Sequence, residues 1–476
     1  YMAFGRQLIG RYSWVQPQVG SLSIGTDGKM INFITNNNIH SFIILTNLLH
    51  FINCLAFDLR TANQMVISEL VNHIQQDPTY IINEVLMVID ILKEHDHNID
   101  DVPLNITQLS EKYCCPMQEH SVETADGYVL TMFRIKATGP AVFLMHGIFN
   151  SADDWVIAGP NSALAYMLAS AGFDVWFGNA RGNKYSRKHI TLSPDQPEFW
   201  DFSWDEIGRY DLPAMIDYVL NTTNETKLTY IGHSQGTTCF FVLCSEKPEY
   251  NEKISLMIAL SPVAWLAHIN SLAVKLAAPY LLNSSWLLKL FNYHELMPKN
   301  NETVTSLCKI GNGIVCMSAL FTLCGFDYEQ VNKTNTLSIL GHLPAGASLN
   351  QVLHYMQSVV SKNFQRFDYG QDKNEEMYGC TKPPKYRVEN ISAPVALFFS
   401  DNDWFSNAID IFILRSKLQN VVTFHRIPYK KFNHFDYLYA KDVKRLVYDK
   451  VLELLQNTPA SNEKIDIRVS EPFTPT

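Results

Sequence analysis

Concentrated positive charge is what this sequence lacks: 38 Lys and Arg stand against 47 Asp and Glu, for a net charge of −9. A nucleic-acid partner needs basic side chains gathered to neutralise phosphates, so none is expected. The densest basic stretch, Arg181 to Lys188, is broken by Gly182 and Asn183 and reads as a solvated loop. The nine cysteines hold no CxxC pair and no Cys/His cluster at zinc-ligand spacing, and they are too few for a disulfide scaffold in 476 residues. No metal and no cofactor is therefore expected. With 22 Gly and 21 Pro spread thinly and 47% hydrophobic residues, the chain is neither collagenous nor of low complexity, and it can bury a large core.

Long apolar runs are scarce too. Phe42 to Phe57 is interrupted by Thr46, Asn47, His50 and Asn53 and falls short of the about 20 apolar residues of a spanning helix. It reads as the apolar core of a signal peptide, with a signal anchor or a buried helix as the other readings. The chain starts at Tyr1, Met30 is a plausible internal start, and residues 1–57 are taken together as upstream and signal-like. In residues 58–100, apolar positions recur at helical spacing on either side of Asp77-Pro78, which predicts two amphipathic helices. They form either a pro-segment or an N-terminal extension. Residues 457–476 are polar, contain three Pro and read as a disordered tail. Asn105, Asn221, Asn224, Asn283, Asn301, Asn332 and Asn390 each begin an N-x-S/T acceptor for glycosylation. Seven such sites favour the secretory pathway, with a secreted or lysosomal destination.

What is present is an alternation of short apolar runs and helical patterns. Ala141 to Met145, Asp174 to Phe177, Leu228 to Ile231 and Val395 to Phe399 read as buried strands, with helical patterns at Leu212 to Leu220 and Thr237 to Leu243. The fold class is α/β, a mostly parallel sheet with helices on both faces. The third strand runs directly into Gly232-His233-Ser234-Gln235-Gly236. A G-x-S-x-G segment between strand and helix forms a tight turn that presents the central serine at the top of the sheet, so Ser234 is the expected nucleophile rather than an ordinary turn serine.

A hydroxyl needs a base, and the base needs a group to orient it. In α/β-hydrolases these follow in the order Ser, acid, His. Ser400-Asp401-Asn402-Asp403 follows the fourth strand, and Asn433-His434-Phe435-Asp436 follows a further strand-like run, Val421 to His425. His434 is the expected base, since His425 sits within the strand. Asp403 is preferred as the carboxylate because it lies further past the strand end, and Asp401 stays open as the alternative. The oxyanion donors are expected to be the backbone N–H groups of Gln235, just after the nucleophile, and of Ile148, in the loop after Ala141 to Met145. His146 and His233 read as structural residues of the two loops.

These residues resemble a family. GHSQGTT at Gly232 to Thr238, HGIFNSADDW at His146 to Trp155, GNARGNKYSRKH at Gly178 to His189 and EFWDFSWDEIGRYDLPAMIDYV at Glu198 to Val219 are similar to the acid lipases, which include gastric and lysosomal enzymes and insect relatives. CGFD at Cys324 to Asp327, LPAGAS at Leu343 to Ser348 and FNHFDYLYA at Phe432 to Ala440 continue the resemblance, which spans about residues 101–456. It implies a hydrolase of neutral-lipid esters with Ser234, Asp403 and His434 as triad and Ile148 and Gln235 as oxyanion donors. The acid lies in a GGKD-like turn in the family, and that turn reads SDND here. The resemblance also implies a cap disulfide between Cys308 and Cys316, with Cys324 matching a free cysteine.

Ser234 and Asp403 lie further apart than a strand, a helix and a strand require. The excess, residues 266–387, is expected to be a cap inserted between two core segments, 101–265 and 388–456, and the resemblance implies that the cap is helical. Ser271 to Phe291 is apolar but broken by Lys275, Pro279, Asn283 and Lys289, which excludes a spanning helix. It is either ordinary cap core or a surface that transiently meets lipid. An esterase for short soluble esters and a non-catalytic lipid-binding protein on the same fold remain the rival readings.

Overall fold

The computed structural model describes residues 99–298, 314–332 and 335–457. Met30, the signal-like stretch, nearly all of the 58–100 segment, Asn301, Cys308 and the tail beyond Asn457 lie outside the described residues.

Eleven strands are described, in chain order β1 (Gln118–Glu123), β2 (Tyr128–Ile135), β3 (Ala141–Met145), β4 (Asp174–Phe177), β5 (Lys188–His189), β6 (Leu228–His233), β7 (Ile254–Leu260), β8 (Glu295–Leu296), β9 (Ala347–Ser348), β10 (Val395–Phe399) and β11 (Val421–Arg426). The main sheet runs β1-β2-β4-β3-β6-β7-β10-β11, with β5 on β2, and β8 and β9 form a small separate pair. From β4 to β11 the neighbours are parallel, whereas β1, β2 and β5 pair antiparallel at one end. A parallel sheet needs cover on both faces, and the residues show it. Ala141, Phe143 and Met145 of β3 pack into one apolar cluster while Val142 and Leu144 pack into another, and β10 divides in the same alternating way.

Helices α1 (Ile106–Lys112), α2 (Leu164–Ser170), α3 (Leu212–Thr223) and α4 (Gln235–Glu246) alternate with these strands. Between β7 and β10 the described residues add no strand to the main sheet. They form α5 (Leu272–Leu290), α6 (Ile314–Cys324), α7 (Thr336–His342), α8 (Leu349–Ser361) and α9 (Gln371–Tyr378), before α10 (Ala408–Lys417) and α11 (Asp449–Asn457) complete the described chain. None of the described helices is long and apolar enough to cross a membrane.

The expected solvated loop at Arg181 to Lys188 requires correction. Arg181 is only 2% exposed, donating to Asp211 at 2.7 Å and to both Asp126 oxygens at 2.6 and 2.8 Å. Its guanidinium lies 3.9 Å from the centre of the Tyr128 ring. Two carboxylates and an aromatic face replace the water that the charge would otherwise require.

Candidate active site

In a parallel sheet the loops leaving the carboxyl ends of the strands meet on one edge. Register places Met145 opposite Gly232, His233 opposite Leu260, and Leu260 opposite Phe398. The loops after β3, β6, β7 and β10 therefore leave side by side, and Ser234 is the first residue after β6.

Ser234 has φ +52° and ψ −117°, a conformation that an L-residue holds only when its surroundings enforce it. Both flanking glycines are sterically required. A Cβ on Gly236 would come 2.3 Å from the Met145 carbonyl oxygen, and one on Gly232 would come 2.9 Å from the backbone of Gly236. The turn is closed by the Tyr230 hydroxyl, which donates to the Gly236 carbonyl at 2.7 Å.

Ser234 Oγ lies 2.8 Å from His434 Nε2. On the far side of the imidazole, His434 Nδ1 is 3.0 Å from each oxygen of Asp403. Asp403 Oδ1 also accepts the backbone N–H groups of Phe405 and Ser406, at 3.0 and 2.8 Å. Burial pushes this carboxyl up, but the charge of His434, its hydrogen bond and those of Ser261 and Ser406 outweigh burial and hold it below the ordinary carboxylate value. The alternative acid, Asp401, is turned outward and pairs with Arg426. His425 stays in β11, its ring tilted at 58° to that of Phe398 with centroids 5.1 Å apart.

One member of this constellation was not foreseen from sequence. Ser261, the residue after β7, donates to Asp403 Oδ2 at 2.5 Å and lies 2.7 Å from His434 Nδ1. Its φ is +53°, so the strand end is bent to aim the hydroxyl at Asp403 and His434 together. The signal was the apolar run ISLMIAL ending in Ser-Pro, which is a strand followed by a sharp departure.

His233 and His146 hold the loops. The His233 Nε2–H donates to the His434 carbonyl at 3.0 Å, and burial lowers this imidazole to about 3, so it stays neutral. His146 Nε2 accepts the Ala180 N–H at 3.1 Å while Nδ1–H donates to the Gly147 carbonyl at 2.7 Å, and burial lowers it to about 4. These bonds bring the loop after β3 against Ser234, where a Cβ on Gly147 would sit 3.3 Å from Ser234 Cβ. Ile148, half-buried, follows Gly147. Gln235 opens α4, where the first N–H groups of a helix have no acceptor of their own. The Gln235 side chain accepts a 3.1 Å hydrogen bond from Gln351 Nε2, while Gln351 Oε1 caps the start of α8 through the Ser348 N–H at 2.8 Å. Gln351 is thus a second group that sequence reading missed.

Of the other expected sites, Asn105, Asn221, Asn224, Asn283 and Asn390 are exposed and Asn332 is half-buried. Cys316 is disulfide-bonded, and Cys324 is a buried free thiol. The segment Ser271 to Phe291 forms α5 and is mostly uncovered: Trp286, Leu290 and Phe291 are 64, 69 and 66% exposed. Among the described residues, no group of three or more His, Cys, Asp or Glu could hold a metal ion.

Residues 140–297 match the family model described as the α/β hydrolase fold, and residues 106–159 match the partial α/β-hydrolase lipase region. The chain is 40% identical to Lipase 1 of Drosophila melanogaster, over 75% of this chain and 81% of that protein. It is 37% identical to gastric triacylglycerol lipase of Bos taurus, over 75% and 92%. It is also 37% identical to lysosomal acid lipase/cholesteryl ester hydrolase of Homo sapiens, over 74% and 91%.

Proposed function

Since the chain belongs to the acid lipase family of α/β-hydrolases, we propose that Ser234, His434 and Asp403 are the triad of its ester hydrolysis. The protein is an ester-hydrolysing enzyme that acts on lipid esters. The observation that carries the triad is the unbroken contact from Ser234 Oγ through both nitrogens of His434 to Asp403.

In this reading, Ser234 Oγ attacks the ester carbonyl carbon and its proton passes to His434 Nε2. The negative charge that develops on the carbonyl oxygen is met by the N–H groups of Ile148 and Gln235, a donor pair of which each member is worth about 100-fold or more in rate. The C–O bond to the alcohol then breaks, and the alcohol takes the proton from His434. Water gives a proton to the same nitrogen, attacks the acyl-serine and releases the fatty acid, and Ser234 recovers its proton. Asp403 holds the imidazole in one tautomer and offsets its positive charge, with the Ser261 hydroxyl steadying Asp403.

The substrate is proposed to be a neutral lipid, triacylglycerol or sterol ester. Residues 266–387 act as a cap between the core segments 101–265 and 388–456, and the uncovered apolar side chains of α5 supply its contact with a lipid surface. A cap disulfide from Cys308 to Cys316 and a secretory route to the outside or to the lysosome complete the proposal, supported by the exposed glycosylation acceptors.

Two measurements test it. Ser234→Ala should abolish turnover, and retained activity would remove Ser234 as nucleophile. On a panel of triacylglycerols, sterol esters and short soluble esters, long-chain lipids should be hydrolysed, and activity confined to short esters would replace the lipase with an esterase. A wild-type protein that binds lipid but hydrolyses none of the panel would be a carrier.

A further inference from the structure

Two carboxyls meet in the interior beside the proposed base. Asp327 ends the Cys324–Asp327 turn that follows α6, and Asp436 lies two residues beyond His434. They are 1 and 5% exposed, and they lie near enough for each side chain to act on the other's ionisation by charge and as a hydrogen-bond partner. A bond between two carboxyls requires a proton, because ionised carboxylates only accept. Asp436 Oδ2 accepts the Asn433 N–H at 2.6 Å, and Asp327 Oδ1 is 3.3 Å from the Tyr429 hydroxyl. Asp327 Oδ2, however, is buried with no conventional donor. A proton shared with Asp436 accounts for that oxygen.

The pair joins pieces of the site that are far apart in sequence. Asn433 Nδ2 donates to the Gly325 carbonyl at 3.0 Å, and Asn402 Nδ2 donates to the Phe326 carbonyl at 2.9 Å. The Trp404 N–H donates to the Cys324 carbonyl at 3.3 Å. The turn carrying Asp327 thus bears on both the His434 loop and the Asp403 loop.

We propose that Asp327 is a positioning residue for His434: with Asp436 it forms a carboxyl–carboxylate pair, held by one proton, that fastens the His434 loop and releases it when the proton is lost. This rests on the reading of His434 as the base.

The neighbouring charges favour retention of the proton. Glu329 acts on Asp327 and Asp403 acts on Asp436, both raising, while the Cys324 thiol is buried alongside. The cations of this region, Lys431 and Lys441, act on Glu329, which Lys431 meets at 2.7 Å. Tyr429 is divided between Glu329, at 2.8 Å, and Asp327. Burial first and mutual charge next hold Asp436 well above the ordinary carboxylate value; burial first and Glu329 raise Asp327 to about 6. Groups raised in the folded state contribute stability that is complete below their unfolded value and is lost as pH rises through the folded value. Asp327 therefore ionises first, at about 6, which leaves the pair holding one proton, and the loop should loosen only as pH rises further, through the higher value of Asp436.

The test is the alkaline side of the pH profile of kcat/KM for a water-soluble p-nitrophenyl ester, with thermal unfolding followed over the same range. Wild type should lose activity and unfolding temperature together as pH rises. Asp327→Asn keeps the shape and can donate an N–H to Asp436 at any pH, so its decline should flatten. At the alkaline end it should retain about tenfold more of its own acid-side activity than wild type does, the size of a one-unit change in pKa. Asp436→Asn should flatten the decline as well, and either variant alone decides the matter. If both scale activity by one factor at every pH and leave the alkaline midpoint in place, the pair is only structural and the proposal is overturned. That outcome with an inactive Ser234→Ala leaves the triad intact, so failure of the pair and failure of the triad are distinguishable.

Discussion

Ser261→Ala isolates one hydroxyl beside the proposed triad. The change removes the 2.5 Å donation to Asp403 Oδ2 and the 2.7 Å contact with His434 Nδ1, and alanine tolerates the site no worse than serine at φ +53°. A hydrogen bond to a charged group contributes about 1.5–3 kcal/mol. Asp403 keeps His434 Nδ1 and the N–H groups of Phe405 and Ser406, so the loss belongs near the low end, about 1.5 kcal/mol, or about tenfold in kcat/KM. The pH dependence gives a second, sharper signature. Asp403 is held below the ordinary carboxylate value, in part by Ser261. A depressed carboxylate contributes above its unfolded value and loses that contribution as pH falls through its folded value. Without the hydroxyl the folded value rises, so the acid limb of kcat/KM should move to higher pH. Stopped-flow hydrolysis of a soluble p-nitrophenyl ester, on the acid side of the profile, measures both effects. Ser261→Gly, which relieves the positive φ but also lacks the hydroxyl, should behave as Ser261→Ala does. An unmoved acid limb with kcat/KM within about twofold of wild type would refute the role assigned to Ser261.

The cap is expected to reach the chemistry through Gln351. Gln351→Ala removes its bonds to Gln235 Oε1 and the Ser348 N–H, at about 1 kcal/mol each, and should lower kcat about fivefold while KM changes less; a change in KM alone would sever the link. Trp286→Ser with Leu290→Ser removes two of the most exposed apolar side chains of α5. At about 1.5–3 kcal/mol for each large side chain buried in lipid, adsorption to triacylglycerol droplets should weaken at least tenfold, and unchanged partitioning would detach α5 from the lipid surface.

Much of the sheet was legible because β3, β4, β6 and β10 are short apolar runs bounded by turn residues, the pattern of strands buried on both faces. The strand β7 was not recognised. Its run ISLMIAL is almost uniformly apolar, and such a run has no period to separate a buried strand from a buried helix. β1 was obscured for the opposite reason: QEHSVE is largely exposed and is ordered by its pairing with β2. Propensity carries little of that information, because an edge strand is specified by its partner.

The site divides along the same line. Ser234 and His434 were legible because a strand–turn–helix glycine pattern and a histidine beyond a strand end are local signals. The choice between Asp401 and Asp403 was not local, and Arg426, which draws Asp401 outward, is what separates them. Arg181 was misread for a related reason, since its two carboxylates stand in other segments and a run of charges does not reveal them. Ser261, Gln351 and Asp327 share that property: each reaches the triad or its loops from an element distant in sequence. The proposed nucleophile and base are therefore signalled within a few residues. The acidity of Asp403, the hold on Gln235 and the seating of the His434 loop are assembled by the fold. Substitutions at these three positions should accordingly alter rate and pH response while the reaction itself stays the same.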